Sequence, residues 1–273
     1  MRAASRETLA RLREQREAVL GTDASAAALN ELAADLYATS DLLNAQPRLR
    51  RTLSDASTSA DARAELVQQL LDGKVSTGTV EVVQAAVRGR WSSPWDLPDA
   101  LELVADDTLF AVAERQGNLE TVENELFGFE RLLDTEPRLA TLLDEETVHS
   151  ARRVELLGNV VTTKLDPITR TLLEHAVASK RKHVLASAVD ILLDQAASRR
   201  DLSVARVLTA VELTDEQQAQ LTATLSDTYG RAISVRAAVD PDVRGGLVVR
   251  VGDEIIDGSV ATRLSSARAA FAR

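Results

Sequence analysis

Three acidic residues near the C-terminal end of the sequence, Asp253, Glu254 and Asp257, are the ones best suited by type to bind a metal ion. Carboxylate oxygens bind Ca²⁺ well, but an EF-hand needs a longer series of oxygen ligands that ends in glutamate. The spacing of these three residues does not fit that series. We therefore predict no metal ion here and interpret the acidic residues as the soluble part of a β-hairpin.

A phosphate-binding loop is the second chemistry that the residue types could support. Gly73 and Lys74 stand together, as they do at the end of such a loop. However, Val75 follows where the loop needs Ser or Thr, and the earlier glycine is absent. The sequence therefore predicts no nucleotide site in this region.

The sequence also contains no arrangement of residues that is typical of nucleophilic or acid–base catalysis. His149, His175 and His183 fit neither a zinc-binding helix nor a catalytic triad, and no Gly-x-Ser-x-Gly motif is present. His175 falls within a predicted amphipathic helix, where we interpret it as a packing or surface residue. The sequence has no cysteine, which excludes disulfides, thiolate nucleophiles and thiolate metal ligands. We predict no catalytic residue, no cofactor and no enzymatic activity.

The net charge and composition argue against several classes of binding partner. A net charge of −10 disfavours nucleic acid, which needs a basic surface, and direct adhesion to an anionic membrane. No apolar run approaches the roughly 18 residues of a membrane span, and residues 1–20 lack the apolar core of a signal peptide. Aromatic residues make up only 3% of the chain, so the cores must be built from Leu, Val and Ala, which favours helical bundles. We expect a cytoplasmic protein that reaches a membrane only through a partner.

An internal duplication underlies the first two thirds of the sequence. The triplet Pro-Arg-Leu at 47–49 recurs 90 positions later at 137–139, and residues 29–36 align in the same way with 119–126. No gap is needed from about 29 to 91. An ungapped match that includes prolines and helix boundaries is hard to obtain by chance from Ala- and Leu-rich helices.

Both copies predict the same helices. Apolar residues recur at spacings of three and four, which predicts one buried stripe along each helix. Pro47 and Pro137 end the helices before them, because proline disfavours helical geometry in the preceding residue. Ser76 and Asp166 occupy equivalent N-cap positions, and Pro167 suits the first helical position. The predicted helices cover residues 5–20, 61–72 and 77–90 in the first copy, and 97–115, 151–163 and 167–181 in the second.

The last part of the chain changes its pattern. Residues 203–212, 233–239 and 247–257 read as strands, and a capping box at 214–217 opens a helix between the first two. The fold class is therefore mainly α, with two tandem helical bundles at 1–96 and 97–201 and a small α+β domain at 202–273. Trp91 and Trp95 lie at the junction of the bundles, where they either pack that junction or anchor a partner.

Residues 245–264 form the most distinctive segment. A pair of glycines leads through a strand, a tight turn and a second strand into the start of a helix. We interpret its glycines as positions where the backbone turns or approaches closely, in a segment shaped for docking. The residues of this pattern are Gly245, Gly246, Gly252, Asp257, Gly258, Ser259, Arg263 and Leu264.

This segment resembles the C-terminal signature of the δ subunit of bacterial F-type ATP synthases, the OSCP/δ family. The resemblance continues through residues 205–217 and more weakly back to about Leu109. It implies a non-catalytic connector in the peripheral stalk, on the cytoplasmic face of the cell membrane. In that family the helical bundle binds the N-terminal helices of α subunits, and the C-terminal domain holds the C-terminal region of the b subunit. Members usually have one bundle, so 97–201 would be the standard bundle and 1–96 an addition, as in lengthened δ subunits.

Carried onto this sequence, the groove for an α-subunit helix would lie between the helices at 97–115 and 167–181. Leu109, Phe110, Leu172 and Val177 are its candidate contributors, although each could equally belong to the core. A similar groove in the first bundle would engage a second α helix, or that bundle would brace b. The alternative to this function is a free-standing helical scaffold or adaptor that uses the same C-terminal domain.

Overall fold

The computed structural model describes residues 1–21, 24–145, 147–161, 165–179, 184–202, 204–211, 213–229, 233–240, 243, 245–251 and 254–257. The chain divides into two compact units, residues 1–195 and 196–273, and the division falls within the eleventh helix. The helices before the sheet are α1 (Ala3–Leu20), α2 (Ala26–Ala45), α3 (Pro47–Ser54), α4 (Ala60–Leu71), α5 (Thr77–Arg88), α6 (Asp96–Gln116), α7 (Leu119–Thr135), α8 (Pro137–Asp144), α9 (Ser150–Val160), α10 (Pro167–Ala178) and α11 (Leu185–Leu202). The second unit contains β1 (Val204–Thr209), α12 (Asp215–Tyr229), β2 (Ser234–Val239), β3 (Leu247–Val251) and β4 (Glu254–Asp257).

The helix boundaries follow from local capping chemistry. The side chain of Ser76 accepts a hydrogen bond from the N–H of Thr79, and that of Asp166 accepts one from Ile168, so both predicted N-caps are confirmed. Each satisfies a backbone donor that the first turn leaves without a partner. Pro47 and Pro137 separate the helices as expected, and each also begins a short helix, α3 or α8, that was not predicted. Proline is well tolerated there because the first helical N–H needs no partner.

The duplication is also visible in the hydrogen bonds. In the first copy, Oδ2 of Asp35 on α2 accepts bonds from the N–H of Ser76 at 3.1 Å and the hydroxyl of Thr79 at 2.8 Å. In the second copy, Oε2 of Glu125 on α7 accepts bonds from the N–H of Asp166 at 3.0 Å and from Thr169 at 2.5 Å. All three positions differ by 90. In each copy a carboxylate at the equivalent position, Asp35 or Glu125, thus joins the start of one helix to the middle of another.

A second repeated contact involves buried arginines. Nη1 of Arg63 on α4 donates to the carbonyl of Asp55 at 3.0 Å, and Nη1 of Arg153 on α9 donates to the carbonyl of Leu143 at 3.0 Å. Both guanidinium groups satisfy carbonyls at the end of a preceding short helix, where intrahelical donors are missing. The two arginines are 90 positions apart, but their acceptors are not equivalent, because Asp55 corresponds to Glu145 and Leu143 to Leu53.

Helix α6 contacts both copies. It packs along α2 and also against α1, α3 and α5, and it contacts α7 and α10 of the second copy. Most of its residues are buried, including the acidic Asp96, Glu102 and Asp106, because other helices surround it. The carboxylate of Asp107 accepts a bond from Arg13 of α1 at 2.5 Å and from Gln195 of α11 at 2.8 Å. The predicted boundary at 96/97 places α6 in the second bundle alone, and that division stays a prediction.

The second unit is a four-stranded mixed sheet with strand order β2-β1-β3-β4. Strands β1 and β2 run parallel, as their connection through α12 requires, and the other neighbours are antiparallel. The predicted capping box is confirmed, because Thr214 and Gln217 exchange bonds of 3.0 and 3.2 Å between side chain and backbone. The core of this unit consists of Ala205, Val207, Leu225, Ile233, Val235, Val249 and Val251. The predicted fold class, mainly α with a small α+β end, is confirmed.

Candidate docking surfaces

The four candidate groove residues lie in the interior of the first unit. Leu109 and Phe110 on α6 are 3% and 0% exposed, and Leu172 and Val177 on α10 are each 1% exposed. In this structure they pack against their own chain, as the core interpretation expects. Their role in binding an α-subunit helix stays a prediction, and it would require part of this packing to open.

A side chain from α2 enters the space between α6 and α10. The hydroxyl of Tyr37 donates a hydrogen bond of 2.6 Å to Oδ1 of Asp106 on α6. The ring of Tyr37 also stacks on that of His175 on α10, with 3.7 Å between the ring centroids. His175 is therefore a packing residue, one of the two roles expected for it. Helix α2 of the first copy thus occupies part of the predicted groove of the second.

A small cavity remains beside this stack. Its walls come from α6, α10 and α11, and they are mostly apolar. Asp106, His175 and Ser179 supply the polar groups, and Leu172 is the candidate groove residue that borders it. Of the four candidates, Leu172 is therefore the one that a modest opening of this region would expose first.

The corresponding surface of the first bundle, along α1 and α5, has a different character. The outward-facing residues of α1 include Glu7, Arg11 and Glu14, and Glu7 and Arg11 form an ion pair. Among the described side chains of α1 and α5, none of the large apolar ones is exposed. This surface therefore offers charges and small residues where the second-bundle groove was expected to offer apolar anchors.

The signature residues of the C-terminal unit are only partly described. Gly245 and Gly246 have φ angles of +75° and +79°, a left-handed backbone that explains why glycine is needed at both. Asp257 ends β4 and pairs with Val248 of β3. Strands β3 and β4 form the predicted hairpin, and Ile255 of β4 is 55% exposed. The remaining signature residues, Gly252, Gly258, Ser259, Arg263 and Leu264, lie outside the described residues.

The sequence allowed Trp91 and Trp95 either to pack the junction of the bundles or to anchor a partner, and the two residues differ in exposure. Trp91 is 9% exposed and donates from Nε1 to the carbonyl of Ala86 at 2.9 Å, so it packs the end of α5. Trp95, which precedes α6, is 43% exposed. Phe127 on α7 is 51% exposed, although its equivalent in the first copy is the buried Tyr37. Sequence reasoning missed this difference, because the helix that covers Tyr37 cannot be identified from the residues around it.

The described residues contain neither a candidate metal site nor a candidate membrane-spanning helix. Over the described ranges, no group of three or more metal-binding side chains could hold an ion. Nor does any helix in those ranges have the length and apolar character needed to cross a lipid bilayer. The fold and these surfaces define a mainly helical protein with an internal repeat and a small α+β unit at its C-terminal end.

Comparison with known proteins identifies the family. The model of the family "ATP synthase delta (OSCP) subunit" matches residues 107–271. The ATP synthase subunit delta of Streptomyces griseus is 40% identical over 267 residues, which cover 98% of each chain. The protein of the same name from Streptomyces coelicolor is 40% identical over 98% of this chain and 97% of its own. That of Corynebacterium diphtheriae is 38% identical over the full length of both. The chain belongs to the ATP synthase delta (OSCP) subunit family, in a lengthened form that its relatives share.

Proposed function

We propose that this chain is a non-catalytic connector in the peripheral stalk of an F-type ATP synthase. It joins the α subunits of the catalytic headpiece to the b subunit, on the cytoplasmic face of the cell membrane. Rotation of the central stalk exerts torque on the headpiece, and this connector keeps the headpiece from turning with the rotor. The observation that carries the proposal is family membership, with relatives matching over nearly the whole length of the chain.

Two separate cores support a connecting role. Residues 1–195 and 196–273 are compact units, and the second has its own apolar core around Val207 and Val249. A protein that holds two partners needs a firm binding surface for each. We assign the helical unit to the α subunits and the α+β unit to the C-terminal region of b.

For the α subunit, we propose the region between α6 and α10. An amphipathic helix binds through apolar anchors at i, i+3, i+4 and i+7, so it needs a continuous apolar groove. The cavity beside Leu172 and His175 is where such a groove would begin to open. Since the headpiece has three α subunits, we further propose that the first bundle either contacts a second α subunit or braces b.

The absence of cysteine permits a direct test of this contact. A single cysteine placed at Ser179, which borders the cavity, would carry a short photocrosslinker in the assembled enzyme. We expect crosslinks to the N-terminal segment of an α subunit. Thr171 on the exposed side of α10 provides the matched control position. Equal crosslinking from both positions, or none to α, would contradict the assignment of this groove.

The connector role itself is tested by depletion and reconstitution. Membranes that lack the chain should retain ATP hydrolysis by the headpiece but lose proton-driven ATP synthesis, and adding back the full chain should restore it. If synthesis persists without the chain, the proposal is wrong. If hydrolysis by the headpiece is lost even when the released and membrane-bound fractions are assayed together, the chain acts on catalysis, which also contradicts a connecting role.

A further inference from the structure

Helix α3 carries two exposed arginines and one buried arginine, and the buried one contacts the partly exposed ring of Trp95. Arg48, Arg50 and Arg51 all lie in the short helix α3, which contains no acidic residue. The guanidinium carbon of Arg50 lies 3.5 Å from the centroid of the Trp95 ring. We call Arg48, Arg50, Arg51 and Trp95 the arginine–tryptophan surface.

The charges of this surface are not neutralised within the described part of the chain. No carboxylate there forms an ion pair with Arg48, Arg50 or Arg51, although the sequence has 42 acidic residues against 32 basic ones. Burial and the neighbouring Arg51 both lower the pKa of Arg50. An acidic protein has thus placed three positive charges within two helical turns without a described carboxylate to pair with them.

The internal repeat shows that the fold does not require this arrangement. The equivalent helix α8 has Ala140 and Thr141 in place of Arg50 and Arg51. Both short helices begin with proline, and in both copies a buried arginine of the next helix donates to a carbonyl near the end of the short helix. Arg50 has a structural task as well, since its Nη1 donates to the carbonyl of Leu43 at 2.9 Å at the end of α2. Arg51, by contrast, is exposed and has no such task among the described residues.

Trp95 supplies the second element of a binding surface. Its ring is 43% exposed, and Arg50 covers it from one direction. Tryptophan and arginine are the side chains most enriched at the energetic centres of protein interfaces. A partner that placed a carboxylate against Arg51 and an apolar group against Trp95 would match both properties of the surface.

We propose that the arginine–tryptophan surface binds an acidic, partly apolar segment of another protein. A protein segment fits better than nucleic acid or an anionic bilayer, because the net charge of −10 repels an extended polyanion, whereas a short segment contacts only this basic region. The proposal stands independently of the assignments to α and b. It specifies the chemistry of the partner: carboxylates at helical or extended spacing, with an apolar side chain between them.

The test uses the full chain and a short peptide of repeated Glu-Glu-Leu triplets that carries a neutral fluorophore. Fluorescence anisotropy would measure its binding, which we expect to weaken as salt is added. Arg51→Thr, which introduces the residue of the second copy, should weaken binding about threefold to fivefold, as expected for loss of one exposed ion pair. Adding Arg48→Ala should bring the loss to about tenfold or more. Trp95→Phe should weaken binding while leaving the salt dependence unchanged.

The matched control is Arg138→Ala, which removes the equivalent of Arg48 from α8. It should leave the affinity unchanged. The proposal fails if the unaltered chain does not bind the acidic peptide, or if it binds a Lys-Lys-Leu peptide equally well. It also fails if Arg138→Ala costs as much as the double substitution. Tighter binding to oligothymidine, or to vesicles of equal parts phosphatidylcholine and phosphatidylglycerol, would replace it with a nucleic-acid or membrane surface.

Discussion

Gly89 lies at the C-terminal end of α5, where this helix meets α1. A Cβ atom added there would lie 2.1 Å from Cγ2 of Thr8 and 3.1 Å from the carbonyl oxygen of Ala86. Thr8 cannot easily turn away, because its hydroxyl donates to the carbonyl of Arg90 at 3.0 Å and accepts from the N–H of Arg90 at 3.3 Å. The substitution Gly89→Ala therefore forces either α1 to move or both hydrogen bonds to break.

The expected cost follows from these contacts. The backbone of Gly89 has φ −68° and ψ 173°, which alanine adopts without strain, so the penalty comes from the steric overlap alone. Overpacking of this kind costs about 1–3 kcal/mol. Alanine recovers about 0.4–1 kcal/mol by restricting the unfolded chain. We expect a net loss of about 1–2 kcal/mol, which corresponds to a fall in Tm of about 2–8 °C for a unit of this size.

Trp91 provides a local signal for this measurement. Its Nε1 donates to the carbonyl of Ala86, three residues before Gly89, so its fluorescence should report unfolding of this part of the first unit. Urea denaturation of the full chain, followed at the tryptophan emission maximum, should show a lower midpoint for Gly89→Ala. Helical content measured by circular dichroism before the transition should be unchanged.

A second substitution tests whether Thr8 is the cause. Thr8→Ser removes the overlapping Cγ2 but keeps the hydroxyl and both hydrogen bonds. The double variant Thr8→Ser, Gly89→Ala should therefore recover most of the lost stability. Gly128→Ala is the control, because nothing lies within 4 Å of its added Cβ in the exposed part of α7. It should stabilise the chain by about 0.5–1 kcal/mol. If Gly89→Ala costs as much in the presence of Thr8→Ser as in its absence, this reasoning is refuted.

The remaining predictions concern the repeated carboxylates, an acidic pair and a glycine. Asp35→Ala and Glu125→Ala should each lower the free energy of unfolding by about 1–3 kcal/mol in urea titrations, because each leaves a helix N-terminus and a threonine without an acceptor. Burial and a hydrogen bond with Asp190 raise the pKa of Glu130. The protonated side chain therefore stabilises the folded state below about pH 4, and this contribution is lost as the pH rises through the raised pKa of the folded state. Glu130→Gln should therefore raise the Tm at pH 7 and give no advantage in acid. Gly246→Ala should destabilise the second unit by about 1–2 kcal/mol, seen as faster amide hydrogen exchange in β3, because its φ is +79°.

Each of these expectations has a contradicting result. A large cost for Asp35→Ala with none for Glu125→Ala would show that the two copies do not use this contact equally. A stabilising effect of Glu130→Gln that persists below about pH 4 would point to packing rather than charge. Unchanged hydrogen exchange after Gly246→Ala would mean that the backbone there tolerates a side chain.

Most helix boundaries and the class of fold could be predicted from the sequence. Proline, serine and aspartate at helix boundaries act through their own backbone and side chain, so Ser76, Asp166 and Pro167 marked helix starts that the structure confirms. The spacing of apolar residues predicted α5 at 77–90, and it covers Thr77–Arg88. The alternating residues of the last domain gave the hairpin of β3 and β4 in the same way. All of these are local signals.

The docking surfaces were harder to predict, because they depend on which helices meet. Helix α6 is buried on most of its faces, so the spacing of its apolar residues cannot identify the neighbour that covers each face. Leu109 and Phe110 could be assigned to a groove or to the core, and the structure places them in the core of the isolated chain. The stack of Tyr37 on His175 joins residues 138 positions apart that have no shared motif. The contact of Arg50 with Trp95 was equally hard to predict, because the two residues are 45 positions apart and meet only in the folded chain.

Helix α6 has a mechanical consequence that a simple tandem arrangement would lack. If two bundles were joined only by a loop, the chain would bend at that loop. A force applied to the first bundle would then rotate the first bundle against the second. Here a single continuous helix of 21 residues, about 30 Å long, belongs to the packing of both copies. Strain that enters through α2 can reach α10 along α6 and also through the stack of Tyr37 on His175. The duplication has therefore lengthened this unit while its two copies stay joined through contacts with one shared helix.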